Sequence, residues 1–334
     1  MSEDHREARA MGNSLSPLTL SIIGFGAIGQ GVATIVQNVP QIKVVAIADS
    51  KGVALMPDLK DVLARKRGGQ PIANSNLTAL DVIRTIDHDV VVEVTPTNID
   101  GGEPGLTHVR EALKNKRNVV TSNKGPLVAA FDELTQLAYT NGVALRYEAT
   151  VGGAMPIVNL IRDTLAGARV LDIRGVLNGT CNYILTRMAE EALDYDQVLS
   201  EAQDMGIAEA DPTYDVTGID TACKVVILAN AFFGRSATFA DVDVTGIDRI
   251  TQDALQLARQ RGFAVKLVGD VQELTVSPKL VPIGHPLNVS GTLNAASILT
   301  DTAGEITVAG KGAGSIETAS AILSDILSVM RDRS

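Results

Sequence analysis

The chain has no tryptophan, and aromatic residues make up only 3% of its 334 positions. Its core must therefore be built from valine, isoleucine, leucine and alanine, the usual filling of a buried parallel sheet layered by helices. Cysteine is equally scarce. Cys181 and Cys223 form neither a disulfide framework nor a metal-ligand spacing, and both sit beside apolar, helix-like runs. They read as buried free thiols in a reducing compartment. The four histidines, His5, His88, His108 and His285, do not cluster, which argues against a zinc site. No apolar run approaches the ~20 residues that a membrane span needs. Positive charge is in deficit, with a net charge of −10, so neither nucleic-acid phosphates nor an anionic membrane surface is an expected partner. The charged stretch 1–17 lacks the apolar core of a signal peptide and reads as a loose tail on a cytoplasmic chain.

Length and aliphatic content are what the sequence does have. A chain of 334 residues that is 45% hydrophobic suits two packed domains. Its first half alternates short β-branched runs (19–23, 44–48, 90–94, 118–121, 144–147) with helical stretches (27–39, 77–85, 105–114, 131–140). Polar loops are expected over 66–76 and 98–105. This alternation predicts a parallel sheet with crossovers. Each strand is followed by a polar or glycine-bearing cluster, and ligands bind outside the carboxyl ends of strands in such sheets.

The first of these clusters is Gly24-Phe25-Gly26-Ala27-Ile28-Gly29. A lone G-x-G-x-x-G is weak, but this one leaves a strand, opens a helix, and has Asp49 twenty positions beyond Gly29. Gly24 permits the tight turn, Gly26 lets the backbone approach a pyrophosphate, and Gly29 lets helix and strand pack. The helix N-terminus adds free N–H groups and positive dipole. Asp49 would accept from the adenosine ribose hydroxyls, which favours NAD. Ser50 and Lys51 follow at once and could hold a 2′-phosphate, so NAD and NADP both remain open.

Beyond Gly153 the pattern changes to a helix at 156–165, a strand at 170–177, and helices at 183–191 and 197–205. An acid-rich loop, 206–215, then leads through Gly218 into a helix over 219–233. On that helix Asp220 and Lys224 are four apart and share a face. Ile227, Leu228 and Ala231 continue their stripe, while Ala222, Val225, Val226, Ala229 and Phe232 cover the other faces. A helix apolar nearly all round is buried. A buried lysine with a carboxylate one turn away is a candidate general acid/base for alcohol oxidation or carbonyl reduction. Lys124, in a Gly-Pro loop at the end of the fourth strand, is a candidate second cation to hold the substrate or polarise its carbonyl.

These motifs resemble the homoserine dehydrogenase family. The most specific match runs Gly206-Ile207-Ala208-Glu209-Ala210-Asp211-Pro212-Thr213-Tyr214-Asp215 and on through Gly218 and Asp220 to Lys224. It is similar to the family's G-[hydrophobic]-A-E-x-D-P-x-x-D-[hydrophobic]-x-G-x-D-x-x-x-K. Thr121-Ser122-Asn123-Lys124, Glu148-Ala149-Thr150-Val151-Gly152-Gly153, Leu177-Asn178-Gly179-Thr180-Cys181-Asn182-Tyr183 and the late Gly310-Lys311-Gly312-Ala313-Gly314 also match, in the right order.

The resemblance implies a doubly wound parallel-sheet (Rossmann) nucleotide domain over 18–147 plus 305–330. A smaller α+β substrate-binding and dimerisation domain would cover 148–304. It implies NAD(P)-dependent, reversible interconversion of L-homoserine and L-aspartate 4-semialdehyde by a homodimer. Lys224 would move the proton, with Asp220 and Lys124 at the reacting end. Glu209 would hold the substrate ammonium, with Asp215 and Thr180 also at the substrate. Thr95, Ser122, Lys124, Gly206 and Gly314 would join the glycine turn, Asp49 and Lys51 at the cofactor. Glu148, Val151, Gly153 and Met155 would hold a monovalent cation such as Na+. The residues after the final helix, expected over 318–329, leave no room for a regulatory domain, so in-chain feedback is not expected. Two rivals are a dehydrogenase of another small amino acid, which gives Glu209 no ammonium partner, and a non-catalytic dinucleotide-binding regulator, which needs neither lysine.

Overall fold

The computed structural model describes residues 16–333. The tail expected over 1–17 lies outside the described residues, save its last two.

Six strands form the first sheet: β1 (Leu18–Ile23), β2 (Ile42–Asp49), β3 (Gly52–Leu55), β4 (Val90–Glu93), β5 (Asn118–Thr121) and β6 (Leu145–Arg146). Their order is β3-β2-β1-β4-β5-β6. All neighbours are parallel except β3, which folds back antiparallel on β2. The central strands are buried almost throughout, and their near-continuous aliphatic runs are what helices on both faces require. The helices are α1 (Ala27–Val36), α2 (Leu59–Arg67), α3 (Ala79–Thr85), α4 (Gly105–Lys114) and α5 (Lys124–Asn141).

Two of the flanking helices differ from the sequence expectation. The stretch ending in the expected 66–76 loop contains α2, whose Asp58 side chain caps the N–H groups of Lys60 and Asp61. Arg65, Lys66 and Arg67 fill its last turn, where cations suit the helix dipole. Only Val62 and Leu63 are buried, too few to give a readable period. The fifth helix starts at Lys124 rather than at 131, because Asn123 caps it and Pro126 falls in the first turn, where a missing N–H costs nothing. A break at Ala130 then separates its first turns from the rest.

The second sheet comprises β7 (Val170–Val176), β8 (Asp243–Val244), β9 (Phe263–Asp270), β10 (Thr275–Pro282), β11 (Leu293–Thr300) and β12 (Glu305–Lys311). Its order is β12-β11-β7-β9-β10-β8, antiparallel apart from β8 beside β10. Helices α6 (Gly179–Glu191), α7 (Tyr195–Asp204), α8 (Thr213–Val216), α9 (Ile219–Phe233) and α10 (Gln252–Gln260) belong to this half. The helix expected over 156–165 is instead a π-helical turn, Leu160–Thr164. The last helix, α11 (Ser315–Asp332), packs on α1 against Gly31, where a side chain would come within 2.5 Å of the Ser315 carbonyl. The return to the first sheet therefore begins at α11 and not at 305, since 305–311 is a strand hydrogen-bonded to β11.

At the junction, the fully buried Asp325 of α11 accepts from the Glu148 N–H and from the Asn159 amide, both at 2.9 Å.

Candidate active site

The carboxyl ends of β1, β2, β4 and β5 open onto a cleft of about 820 Å³. Of the residues expected at the cofactor, Gly24, Phe25, Gly26, Ala27, Ile28, Asp49, Thr95, Ser122 and Lys124 line it. Gly24 has φ +102°, and a side chain there would press within 2.6 Å of the Val94 carbonyl. Gly29 lies beneath, where a Cβ would meet the Gly24 carbonyl at 2.2 Å. Gly26 is the opposite case. Nothing stands within 4 Å of its missing Cβ, so the backbone at the start of α1 is open to a ligand. A tight turn, an open approach and a free helix N-terminus together fit a dinucleotide pyrophosphate.

Lys51, Gly206 and Gly314 do not line the cleft. Lys51 turns its N–H onto Asp49 Oδ1 at 2.8 Å and is exposed. The cation that reaches Asp49 is Lys66, whose Nζ is 2.6 Å from Oδ2 and which lines the cleft. Sequence reasoning placed Lys66 in a loop. A capped helix with a basic last turn was the available signal.

Of the residues expected at the reacting end, Lys124 lines the cleft, while Asp220 and Lys224 of α9 do not and meet it through Lys124. Lys224 is 6% exposed, and its Nζ donates to Asp220 Oδ2 at 2.7 Å and to the Leu177 carbonyl at 2.6 Å. Lys124 approaches Asp220 Oδ1 at 3.4 Å from α5, so one carboxylate joins two ammonium groups carried by different helices. Burial alone would raise the Asp220 pKa, but Lys224 and then Lys124 outweigh it and hold the carboxyl well below the usual range. Asn178, capping α6, donates one amide to both Asp220 (3.0 Å) and Asp215 (2.7 Å). The sequence reading quoted Asn178 within a motif without giving it a role. Burial, then the nearby Asp220, pushes the Asp215 carboxyl up.

Glu209 is exposed and lines the same cleft as the glycine turn and Lys124. Thr180 stands behind it, its hydroxyl donating to the Ile207 carbonyl at 3.1 Å. Both cysteines are free and buried, and burial pushes both thiols up, so neither is poised as a nucleophile.

The Glu148 side chain departs from its expected role. Its Oε1 accepts from the N–H groups of Ile157 (2.8 Å) and Val158 (3.2 Å), and its Oε2 from that of Asn159. The carboxylate closes the start of a helical turn, and the Glu148 main-chain oxygen accepts from the Val151 N–H at 3.3 Å. Among the described residues no three His, Cys, Asp or Glu side chains gather as a metal site, and no helix is long and apolar enough to cross a membrane.

A glycine turn at the switch point of a doubly wound sheet, with Lys124 on the same cleft and the buried Asp220 and Lys224 next to it, defines a two-domain nicotinamide-dinucleotide dehydrogenase. Comparison with known proteins carries this one step further. The family model described as homoserine dehydrogenase matches residues 156–327, and that for the homoserine dehydrogenase NAD binding domain matches 24–148. The homoserine dehydrogenase of Methanocaldococcus jannaschii is 50% identical over 330 residues, covering 93% of this chain and 98% of that protein. An NAD(+)-dependent homoserine dehydrogenase of Pseudomonas canavaninivorans is 35% identical over 340 residues, covering 93% and 95%. A hyperthermophilic archaeal homoserine dehydrogenase solved in complex with NADPH superposes with a TM-score of 0.82 at 28% identity, covering 95% of this chain and 98% of that one. The chain belongs to the homoserine dehydrogenase family and is an NAD(P)-dependent oxidoreductase acting on homoserine.

Proposed function

We propose that Lys224 is the proton donor and acceptor at the hydroxyl oxygen in the reversible interconversion of L-homoserine and L-aspartate 4-semialdehyde, within threonine, methionine and isoleucine biosynthesis. The observation that carries this is the Lys224–Asp220–Lys124 cluster, which reaches the cleft through Lys124. An ammonium has three donors. Asp220 and the Leu177 carbonyl take two from Lys224, which leaves one to meet an oxygen in the cleft. When bound, the nicotinamide ring supplies or accepts the hydride. The protein's part is to hold that oxygen, exchange its proton and offset its charge. As an alkoxide develops, Lys224 protonates it while Asp220 keeps the lysine aimed, and Lys124 adds a second positive group nearby. Glu209, on the loop across from the glycine turn, pairs with the substrate ammonium, with Asp215 beside it.

The turn 148–155 would take a monovalent cation such as Na+ through main-chain oxygens, which suit hard ions. The chain works as a cytoplasmic homodimer in this reading. Two free thiols fit a reducing setting. The second sheet carries Leu293 and Leu299, 40% and 41% exposed, at alternate positions from Ala296 and Ile298, which pack into the main core. They share their strand face with Ala295 and its small apolar cluster, a surface that a second copy would cover.

Lys224→Met tests the mechanism, because it keeps side-chain length in an apolar helix. Turnover should fall by ~10²–10⁴-fold with dinucleotide binding retained. Near-normal turnover in the folded variant would remove Lys224 from the reaction.

A further inference from the structure

At the C-terminal ends of β4 and β5 a polar network lies wholly inside the nucleotide-binding half. Glu93 is 0% exposed, and its Oε1 accepts from the Thr95 N–H at 3.1 Å and from the Thr95 hydroxyl. The Thr121 hydroxyl donates to the Glu93 carbonyl at 2.9 Å and itself accepts the Asn123 N–H at 2.9 Å. Asn123 in turn donates its amide to Thr95 Oγ1 at 3.2 Å, while its Oδ1 accepts from Gly125 N–H at 3.0 Å. That last bond is the cap of α5, whose first residue is Lys124. One carboxylate thus stands behind both residues that aim the start of this helix. Gly105 keeps the space tight, since a Cβ there would come within 2.4 Å of the Asn123 amide and 3.2 Å of Glu93 Oε2.

His108 of α4 completes the arrangement. It is 8% exposed, and its Nδ1 has no hydrogen-bond partner among the described residues. The nearest anion is Glu93 Oε1 at 3.6 Å, and the ring also lines the cleft. A buried carboxyl group keeps one orientation only where fixed hydrogen-bond partners surround it. The imidazole Nδ1 stands nearest Oε1, the oxygen Thr95 holds, while the Thr121 hydroxyl lies 3.4 Å from Oε2.

We propose that Glu93, with His108 behind it, is a positioning residue for Lys124, holding the Thr95–Asn123 pair that sets the direction in which the first residue of α5 projects toward Asp220. This rests on the assignment of Lys124 to the reacting end. It adds that the placement of Lys124 is decided by a carboxylate on a neighbouring strand, not by α5 alone. A misplacement of about 1 Å in such a group can cost up to ~10²-fold in rate.

The test compares Glu93→Gln, His108→Asn and His108→Gln, with Lys124→Met alongside, in kcat, in KM for both substrates and in thermal midpoint. The Asn amide nitrogen sits where the imidazole Nδ1 does, and the Gln amide nitrogen where Nε2 does. Glu93→Gln and His108→Gln should lower kcat about tenfold or more while His108→Asn stays near wild type, with KM for the dinucleotide and the midpoint little changed in all three. The reverse ranking, with His108→Gln active and His108→Asn impaired, would show the ring acting directly on the cleft and overturn the proposal. Losses that track a falling midpoint would make the network a fold support only, and unchanged kcat in all three would leave it without a role. Normal turnover in Lys124→Met would instead sink the underlying reading of Lys124.

Discussion

Glu209 stands at the rim of the cleft, solvated, on a loop that Thr180 and Gln203 steady through backbone carbonyls. A carboxylate there can discriminate for an ammonium without being buried. Glu209→Gln should therefore raise KM for homoserine by roughly tenfold or more, the worth of a charge-assisted hydrogen bond, and leave that for the dinucleotide near wild type. Steady-state kinetics with each substrate varied in turn decides it, and equal rises in both constants would count against the role. His88 offers a residue-scale test of stability. It is 1% exposed, and burial, followed by the charge of Arg117, holds its pKa down to about 4 from an ordinary 6.5. The folded state thus resists a proton that the unfolded chain accepts. Stability from this group is present above pH 6.5 and is lost as pH falls through about 4. The loss amounts to roughly 3 kcal/mol. Urea unfolding of wild type and His88→Leu across that window should give a difference that shrinks as the pH drops. A difference constant with pH would show that the imidazole titrates alike in both states.

At the scale of elements, α2 changes the reading of cofactor choice. Its basic last turn brings Lys66 to Asp49, so the residue that would accept from a ribose hydroxyl already has a cation at hand. We expect Lys66→Ala to weaken NADP binding by about tenfold and to change NAD binding little, whereas Lys51→Ala affects neither. Titration of both dinucleotides by fluorescence separates the two lysines, and selective loss in the Lys51 variant would restore that residue to the site. The sequence pattern identified β1, β4, β5 and α9 because their apolar period is set by burial on both faces. It failed for α2 and for the start of α5, where order comes from a cap and from charges at a helix end and not from a stripe. Asn178 and Glu93 were beyond its reach for another reason. Each works through partners far away in the chain, forty-two positions on for Asn178 and Asp220, twenty-eight for Glu93 and Thr121.

Taken as a whole, the molecule leaves one strand face unmatched. Leu293 and Leu299 project on the strand face that Ala295 shares, and exposed apolar side chains of that kind are often covered. If this face is the seam of the proposed homodimer, Leu299→Glu should sediment as a monomer where the wild type sediments as a dimer, without unfolding, since the charge meets solvent in the separated chain. A variant that sediments as the wild type at every concentration would place the contact elsewhere. The sequence by itself determined the doubly wound sheet, the glycine turn at its switch point and the Asp220–Lys224 stripe, because each is written in neighbouring residues whose spacing is fixed by helix or strand geometry. Tertiary structure alone decided that Lys124 shares Asp220 with Lys224, that Lys66 rather than Lys51 reaches Asp49, and that the Glu148 carboxylate closes a turn. Those pairings join elements far apart in the chain, and only packing sets the distance between them.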